Sequence, residues 1–276
     1  MPELAEVEFY RKRWDQAAHG QRIVRVLTHD KKKILRQLDL PAFRRALVGA
    51  TLESSAAAAK QMLFRFSGGA WMGIHLGMSG ELRVEPPGYA PGKHDHLVLV
   101  TENRALVFND PRMFGRVDFH VGSHPPLWWS KISPPVLSPQ FTVKAVAAFL
   151  QRRRRAPIKA VLLMQERFPG VGNWMADEIL WRARIHPAQP AGSLTPDEAR
   201  KLWRECRNVC RQALVAIAGR GKKLPPDLNV NIPRIWLFTH RWRPGGKCPQ
   251  TGRPLAHATI GGRTTCWSPA RQKLRT

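Results

Sequence analysis

Gly122-Ser123-His124-Pro125-Pro126-Leu127-Trp128-Trp129-Ser130-Lys131-Ile132-Ser133-Pro134-Pro135-Val136-Leu137-Ser138-Pro139 is the stretch on which the architecture turns. Proline fixes φ and has no backbone N–H, so a segment this rich in it continues neither a helix nor a central strand. Residues 122–139 therefore read as a linker, and the hydrophobic period changes across it. Before it, Ile23–Leu27, Met62–Phe66, Leu97–Val100 and Ala105–Phe108 are short strand-type segments cut by Gly and Pro. Ahead of them, Val7, Phe9, Tyr10 and Trp14 give Ala5–Ala18 helical spacing. Residues 1–121 are thus expected to form a β-sandwich or barrel with one flanking helix.

Beyond the linker the period is helical. Thr195-Pro196-Asp197-Glu198 has the form of a capping box with Pro at the first helical position. The helix it opens carries the stripe Leu202, Trp203, Cys206, Val209, Cys210, Ala213, Leu214 and Ile217 before Gly219 stops it. Cys206 and Cys210 fall on that stripe, where four-residue spacing indicates packing rather than a metal pair. Near the end, Leu255–Ile260, Gly261-Gly262 and Arg263–Ser268 outline a hairpin whose glycine turn needs positive φ, with Arg263 at its tip. The expected order is a β domain (1–121), a Pro-rich linker (122–139), a helical domain (140–232) and a hairpin segment (233–276), an α+β fold.

Composition narrows the partner. The 276 residues include 45 Lys+Arg against 20 Asp+Glu, a formal net charge of +25, while 43% hydrophobic residues and ten Trp exclude wholesale disorder. No apolar run reaches membrane-span length and the start lacks a signal pattern, so a soluble, intracellular protein with no membrane partner is expected; a monomer is expected as well. Four Cys are too few for a disulfide framework. Charge of this size points to a polyanion, nucleic acid first, because neutralised phosphates release counterions.

For chemistry, the residues themselves offer Met1-Pro2-Glu3. Removal of the methionine leaves a secondary amine, and an α-amino group with a pKa near 8 is partly unprotonated at neutral pH. Such an amine can attack a sugar carbon at the aldehyde level, with the neighbouring carboxylate moving protons. Taken alone these three residues also suit a start without any catalytic role.

Pro2-Glu3-Leu4-Ala5-Glu6-Val7-Glu8 resembles the N-terminus of the formamidopyrimidine-DNA glycosylase and endonuclease VIII family, whose usual form has Pro at the position of Ala5. Further motifs recur in order: His75-Leu76-Gly77-Met78-Ser79-Gly80, Lys93-His94-Asp95-His96, Asn109-Asp110-Pro111-Arg112-Met113-Phe114-Gly115, Pro157-Ile158-Lys159, and Gly170-Val171-Gly172-Asn173 with Ala176-Asp177-Glu178. The resemblance implies an N-terminal β-sandwich, a helix-two-turn-helix domain and a β-hairpin finger. It also implies a bifunctional enzyme of base excision repair that removes oxidised bases through a Schiff base on the N-terminal proline and cuts the strand by β,δ-elimination. On that basis Pro2 is the nucleophile, Glu3 the acid/base partner, Glu6 a further acidic position, and Lys60 the strand-borne lysine, although Ala59 stands where Gly is usual. Met78, Arg112 and Phe114 match the residues that fill the stack when a nucleotide is flipped out. Lys159, Asn173 and Arg263 match phosphate contacts, Asn173 also reading as a helix N-cap. The expected partner is double-stranded DNA carrying an oxidised base or abasic site. In a bacterial cell that places the protein in the cytoplasm, at the nucleoid.

The match breaks in the finger. The family's two C-x2-C pairs fall here on Cys248, Thr251, Ser268 and Arg271, and one thiolate of four cannot close a tetrahedral zinc site. Rescue by His240 or His257 with Cys248 and Cys266 lacks ligand-pair spacing. This departure from the family pattern predicts a zincless finger and no cofactor. A structural zinc supplies about 10 kcal/mol or more of apparent folding free energy, and Trp236, Phe238, Trp242 and Trp267 are the candidates to offset its loss. Residues 219–237 lack the longer loop that covers 8-oxoguanine in guanine-directed relatives. Phe238-Thr239-His240-Arg241 looks closer to endonuclease VIII, and the void-filling set looks closer to the formamidopyrimidine enzymes, so the lesion stays open. Two alternatives stand beside the main reading: an AP lyase with little glycosylase activity, and a non-catalytic damaged-DNA binding protein.

Overall fold

The protein is described by a computed structural model covering residues 2–29, 33–35, 37–242 and 244–275. It divides into two units, Met1–Ile132 with Ala218–Leu224, and Ser133–Ile217 with Pro225–Thr276.

In unit 1, helix α1 (Leu4–Ala18) and strand β1 (Arg25–Thr28) are followed by α2 (Leu40–Leu47) and strands β2 (Leu52–Ala58), β3 (Gln61–Phe66), β4 (Ala70–His75), β5 (Glu81–Glu85), β6 (Asp95–Val100), β7 (Ala105–Asn109) and β8 (Arg116–Val121). They form two antiparallel four-stranded sheets of order β1-β6-β7-β5 and β2-β3-β4-β8. Every residue of β6 is buried, which is why that strand reads as an apolar run rather than an alternation. Trp14 of α1 joins both sheets. It is fully buried, donates from Nε1 to the Arg83 carbonyl on β5 at 3.0 Å, and sets its ring 5.4 Å from Phe64 on β3. The segment Ala218–Leu224 belongs to this unit, where Lys12 Nζ donates to the carbonyls of Ala218 (2.8 Å) and Gly219 (3.2 Å). A short helix, α3 (Leu127–Ser130), lies inside the proline-rich stretch, and Trp128 sits where a side chain on Gly73 would have to go.

Unit 2 is built from α4 (Val143–Arg152), α5 (Ile158–Leu162), α6 (Asn173–Ala183), α7 (Pro196–Ala218) and the hairpin β9 (Ala256–Ile260) and β10 (Arg263–Trp267). The α7 capping box is formed: Thr195 N–H donates to Glu198 Oε2 at 2.9 Å, and Glu198 N–H to Thr195 Oγ1 at 3.2 Å. Leu202, Cys206, Val209, Cys210, Ala213 and Ile217 are all 0% exposed, and burial lifts the Cys206 thiol pKa well above its ordinary value.

The core of unit 2 contains a buried ionic hub. Asp177 on α6 accepts from Lys159 Nζ at 2.5 Å through Oδ1, and through Oδ2 from Arg241 Nη2 (2.6 Å) and the Cys266 N–H (3.1 Å). The Lys159 and Asp177 side chains are 0% exposed and that of Arg241 is 4%. Two cations buried this deeply depend on one carboxylate. Asp177→Ala is expected to lower stability by about 3–5 kcal/mol, the range for breaking a buried pair by removing one partner. Urea denaturation followed by tryptophan fluorescence measures it, and a loss below about 1 kcal/mol would show that the hub is not carrying unit 2.

Candidate active site and nucleic-acid interface

In unit 1 the first site element is the start of α1. Pro2 is half-buried and directly precedes Glu3, the N-cap, which is 2% exposed. The Glu3 carboxylate accepts from the Glu6 N–H, and Glu6 Oε2 accepts from the Glu3 N–H at 3.1 Å. This reciprocal cap fixes both carboxylates at the positive end of the helix dipole. Met1 lies outside the described residues.

Lys60 does not emerge from a strand as the resemblance implies. It occupies the two-residue turn between β2 and β3, and Ala59 before it has φ +54°, the left-handed region that explains why Gly is usual there. His75, at the end of β4, pairs in register with Gln61. Burial, then the nearby charges of Arg116 and Lys60, push its imidazole pKa below the ordinary value. Its Nδ1 accepts from the Gly77 N–H at 3.1 Å, so the neutral ring carries its proton on Nε2. His75 was not singled out from the sequence, although it opens one of the quoted motifs.

Two loops of unit 1 present Met78, Arg112 and Phe114, and the buried Asp110 ties them together. Its Oδ1 accepts from Ser79 Oγ (2.7 Å) and the Arg112 N–H (3.2 Å), and its Oδ2 from the Gly115 N–H (2.7 Å). The loops approach so closely that a Cβ on Gly77, at φ +63°, would lie 2.4 Å from the Phe114 carbonyl carbon. Phe114 is 57% exposed, with the Arg112 guanidinium 5.2 Å from its ring centre. Met78 is half-buried, and Met113 between the other two residues has φ +55°. Neither Phe114 nor Met78 is a core residue.

In unit 2, Gly172 is the N-cap of α6 and Asn173 is the first helical residue, one position from where the sequence suggests. Asn173 Nδ2 donates to the Thr264 carbonyl on β10 at 2.9 Å. The hairpin turn at Gly261 and Gly262 has φ +59° and +73°, and a Cβ on Gly261 would lie 2.6 Å from Ala160 Cβ of α5. Only glycine lets the tip dock there. Arg263, next to this tip, is exposed. Lys159 is not available as a direct phosphate contact. It is fully buried and divides its ammonium between Asp177 and the Asn173 carbonyl, the latter at 2.6 Å.

At the four positions matching the family's zinc ligands, Cys248 is 1% exposed and accepts from Trp181 Nε1 at 3.4 Å. Burial alone would raise its thiol pKa, but hydrogen bonds from Thr251, Ser268 and Trp181 outweigh it and bring the value down to about 7. Arg271 lies 4.9 Å over the Trp181 ring. Burial, followed by the nearby Asp177 carboxylate, pushes Cys266 up to about 12. His240 Nε2 is bonded to the Arg234 carbonyl and His257 Nε2 to the Arg241 carbonyl. One thiol, two hydroxyls and a guanidinium do not fit a dication, and among the described residues no group of three or more His, Cys, Asp or Glu could hold a metal ion. The finger packs through Trp181, Leu237, Cys248, Leu255 and Cys266. Of the expected aromatics, Trp236 and Phe238 pack on Trp174 of α6 (6.4 and 4.9 Å), Trp267 packs on His186 (5.2 Å), and Trp242 is 58% exposed.

Residues 1–117 match the model of the formamidopyrimidine-DNA glycosylase N-terminal domain, and residues 132–223 that of the formamidopyrimidine-DNA glycosylase H2TH domain. The chain is 34% identical over 274 residues to the formamidopyrimidine-DNA glycosylase of Roseiflexus sp. (strain RS-1), covering 99% of this chain and 100% of the relative. It is 36% identical over 281 residues to that of Thermus thermophilus, covering 99% and 98%. Among solved structures, a MutM protein in complex with DNA containing carbocyclic 8-oxo-G superposes with a TM-score of 0.85 at 24% identity, covering 99% of this chain and 100% of that one. The Lactococcus lactis Fpg complexed with abasic-site DNA gives 0.84 at 24% identity, covering 98% and 99%. With both family models matched and similarity running nearly end to end, the chain belongs to the formamidopyrimidine-DNA glycosylase and endonuclease VIII family of DNA glycosylases.

Proposed function

We propose that the protein excises oxidised bases from double-stranded DNA and then cleaves the abasic strand by β,δ-elimination, with Pro2 as nucleophile. The observation that carries this reading is the start of α1, where Pro2 adjoins a carboxylate 2% exposed and fixed by a reciprocal cap with Glu6. Once the methionine is gone, the Pro2 nitrogen attacks C1′ of the damaged nucleotide. The base leaves with the electrons of the glycosidic bond, and ring opening gives an iminium as Glu3 passes a proton to O4′. Glu3 suits this task by position: it directly follows Pro2 and its carboxylate is held in place by the Glu6 N–H. Loss of the C2′ proton then expels the 3′ phosphate, a second elimination expels the 5′ phosphate, and hydrolysis frees Pro2. Lys60 holds a phosphate beside the lesion.

Flipping the nucleotide leaves a gap, and Met78, Phe114 and Arg112 are suited to it as adaptable, wedging and hydrogen-bonding groups. Asn173 and Arg263 grip the backbone, and Lys159 acts as a positioning residue that holds the Asn173 carbonyl. The finger works without zinc. A second reading is an AP lyase with weak glycosylase activity, which the resemblance allows because it implies no lengthened loop over residues 219–237. The joint presence of Pro2, Glu3 and Lys60 speaks against a non-catalytic binder.

Borohydride trapping on oligonucleotides carrying an abasic site, 8-oxoguanine, formamidopyrimidine or thymine glycol separates these readings. Untagged protein with Met1 removed is expected to give a covalent complex with the abasic site and at least one oxidised base. No complex with any substrate sinks the enzymatic reading, and a complex with the abasic site alone favours the second. Pro2→Gly should slow strand cleavage by about 10²-fold or more while DNA affinity changes little. Arg263→Ala and Asn173→Ala should chiefly weaken binding and flatten its salt dependence. Equal losses in both assays for all three variants would contradict these assignments.

Metal analysis checks the finger. Chelator-treated, refolded protein should keep the melting temperature and DNA affinity of untreated protein. One tightly held zinc per chain would overturn the zincless reading.

A further inference from the structure

Strand β6 contains an extra residue. Its pairing with β7 sets Asp95 opposite Asn109 and Leu97 opposite Phe108, so two steps of β6 span one step of β7 and His96 forms a β-bulge. Bulges interrupt a ladder and re-aim one side chain, and they are common beside active sites. The side chain at this bulge is an imidazole, 0% exposed, at the head of a strand whose next four residues are Leu and Val. A polar ring in such a place costs stability unless it is hydrogen-bonded. His96 Nε2 lies 2.9 Å from the Asp110 carbonyl oxygen, and because a carbonyl only accepts, Nε2 is the donor.

The backbone of Asp110 is engaged as fully as its carboxylate. Its N–H donates to the His94 carbonyl at 3.0 Å, just ahead of the bulge. Its carbonyl accepts from the Met113 N–H at 3.2 Å as well as from His96, which closes the turn Asp110-Pro111-Arg112-Met113. The nitrogen of the same peptide plane belongs to Pro111 and donates nothing, so that carbonyl is the plane's one hydrogen-bonding group. Ser79, Arg112, Met113 and Gly115, which hold Asp110 from the other sides, are all loop residues. The side chain that ties the turn to the buried sheet is His96.

We propose that His96 is a positioning residue for stack filling: by donating from Nε2 to the Asp110 carbonyl it fixes the Asp110–Pro111 peptide plane, and with it the aim of Arg112 and Phe114, before DNA is bound. The proposal rests on the void-filling role given above to Met78, Arg112 and Phe114. A wedge already held in its working direction loses little conformational freedom when it enters the duplex. A small misplacement, by contrast, is costly in rate even when the altered residue lies away from the reacting atoms. Phe114 is 57% exposed, so its direction is set by the backbone beneath it rather than by packing around the ring. His96 acts on that backbone through Asp110.

The test uses full-length protein and a duplex with 2-aminopurine opposite a tetrahydrofuran abasic analogue, whose emission changes when side chains enter the gap. In stopped-flow mixing, His96→Phe, which keeps a ring and removes the donor, is expected to slow that change about tenfold or more. His96→Gln, whose amide can place a donor near the Nε2 position, should stay within about twofold of the parent. The salt dependence of affinity should be unaltered in both, because no phosphate contact is lost. A merely structural role would lower the melting temperature and leave the rate of the folded protein unchanged. Should His96→Phe not fold, His96→Asn, whose amide is too short to reach the carbonyl, takes its place with the same expectation. Phe114→Ala tests the reading underneath: if the emission change is then as in the parent, the void-filling role falls and the proposal with it. A slowed Phe114→Ala with His96→Phe as fast as the parent overturns the proposal alone, as does His96→Gln as slow as His96→Phe. Nitrogen NMR of the parent's histidine rings adds a check that needs no functional variant. The His96 signal, identified by its loss in His96→Gln, should show a proton on Nε2 in slow exchange with solvent, and an Nε2 without a proton overturns the proposal.

Discussion

Unit 2 depends on one carboxylate. Asp177 projects from α6 into a space that no water reaches and there meets an ammonium from α5, a guanidinium from the start of the finger and a backbone N–H of β10. An ion pair this deep does not stabilise much relative to an apolar core of the same shape, because desolvation cancels most of the attraction. What it supplies is register. Each donor satisfies a different lone pair, so α5, α6 and β10 fit together in one arrangement only. Asn173 at one end of α6 and the Thr264 carbonyl beside Arg263 are brought to 2.9 Å by it. The two residues proposed to grip phosphate are placed by a charge that touches neither of them.

Asp110 does the same work in unit 1 with neutral donors. Three hydrogen bonds from two loops converge on it, and Gly77 permits the loops to touch at a distance no side chain allows. The exposed Phe114 follows from this. A phenyl ring more than half in water is unfavourable by the hydrophobic effect, and backbone constraint on both sides is what keeps it from folding back. The left-handed Met113 adds to that constraint.

Much of this was legible in residue order. The α7 start is written in Thr195, Pro196 and Glu198, and the hairpin register in Gly261-Gly262, because caps and two-residue turns are local chemistry. Strand β2 was not legible. Leu-Glu-Ser-Ser-Ala-Ala-Ala has neither alternation nor β-branched residues, and its place in the sheet comes from β3 and α1. Nor was the burial of Lys159, since a lysine's fate depends on a carboxylate eighteen positions further on in sequence and on a fold that brings them together.

The finger leaves no gap at the four positions that match the family's zinc ligands. Removing one ligand from a closed tetrahedral site leaves buried thiolates without a cation, a costly intermediate. Here one thiol stands at the four positions. The thiol at the first of these positions, Cys248, takes hydrogen bonds from the Trp181 indole N–H and two hydroxyls, and the fourth position is Arg271, whose guanidinium lies over the same indole. Positive charge therefore lies near the sulfur. Trp181 serves as both donor and platform, and because it belongs to α6 it fastens the hairpin to the helix that carries Asp177. The finger in this protein is held from the helix side, by Trp181 and Asp177 of α6.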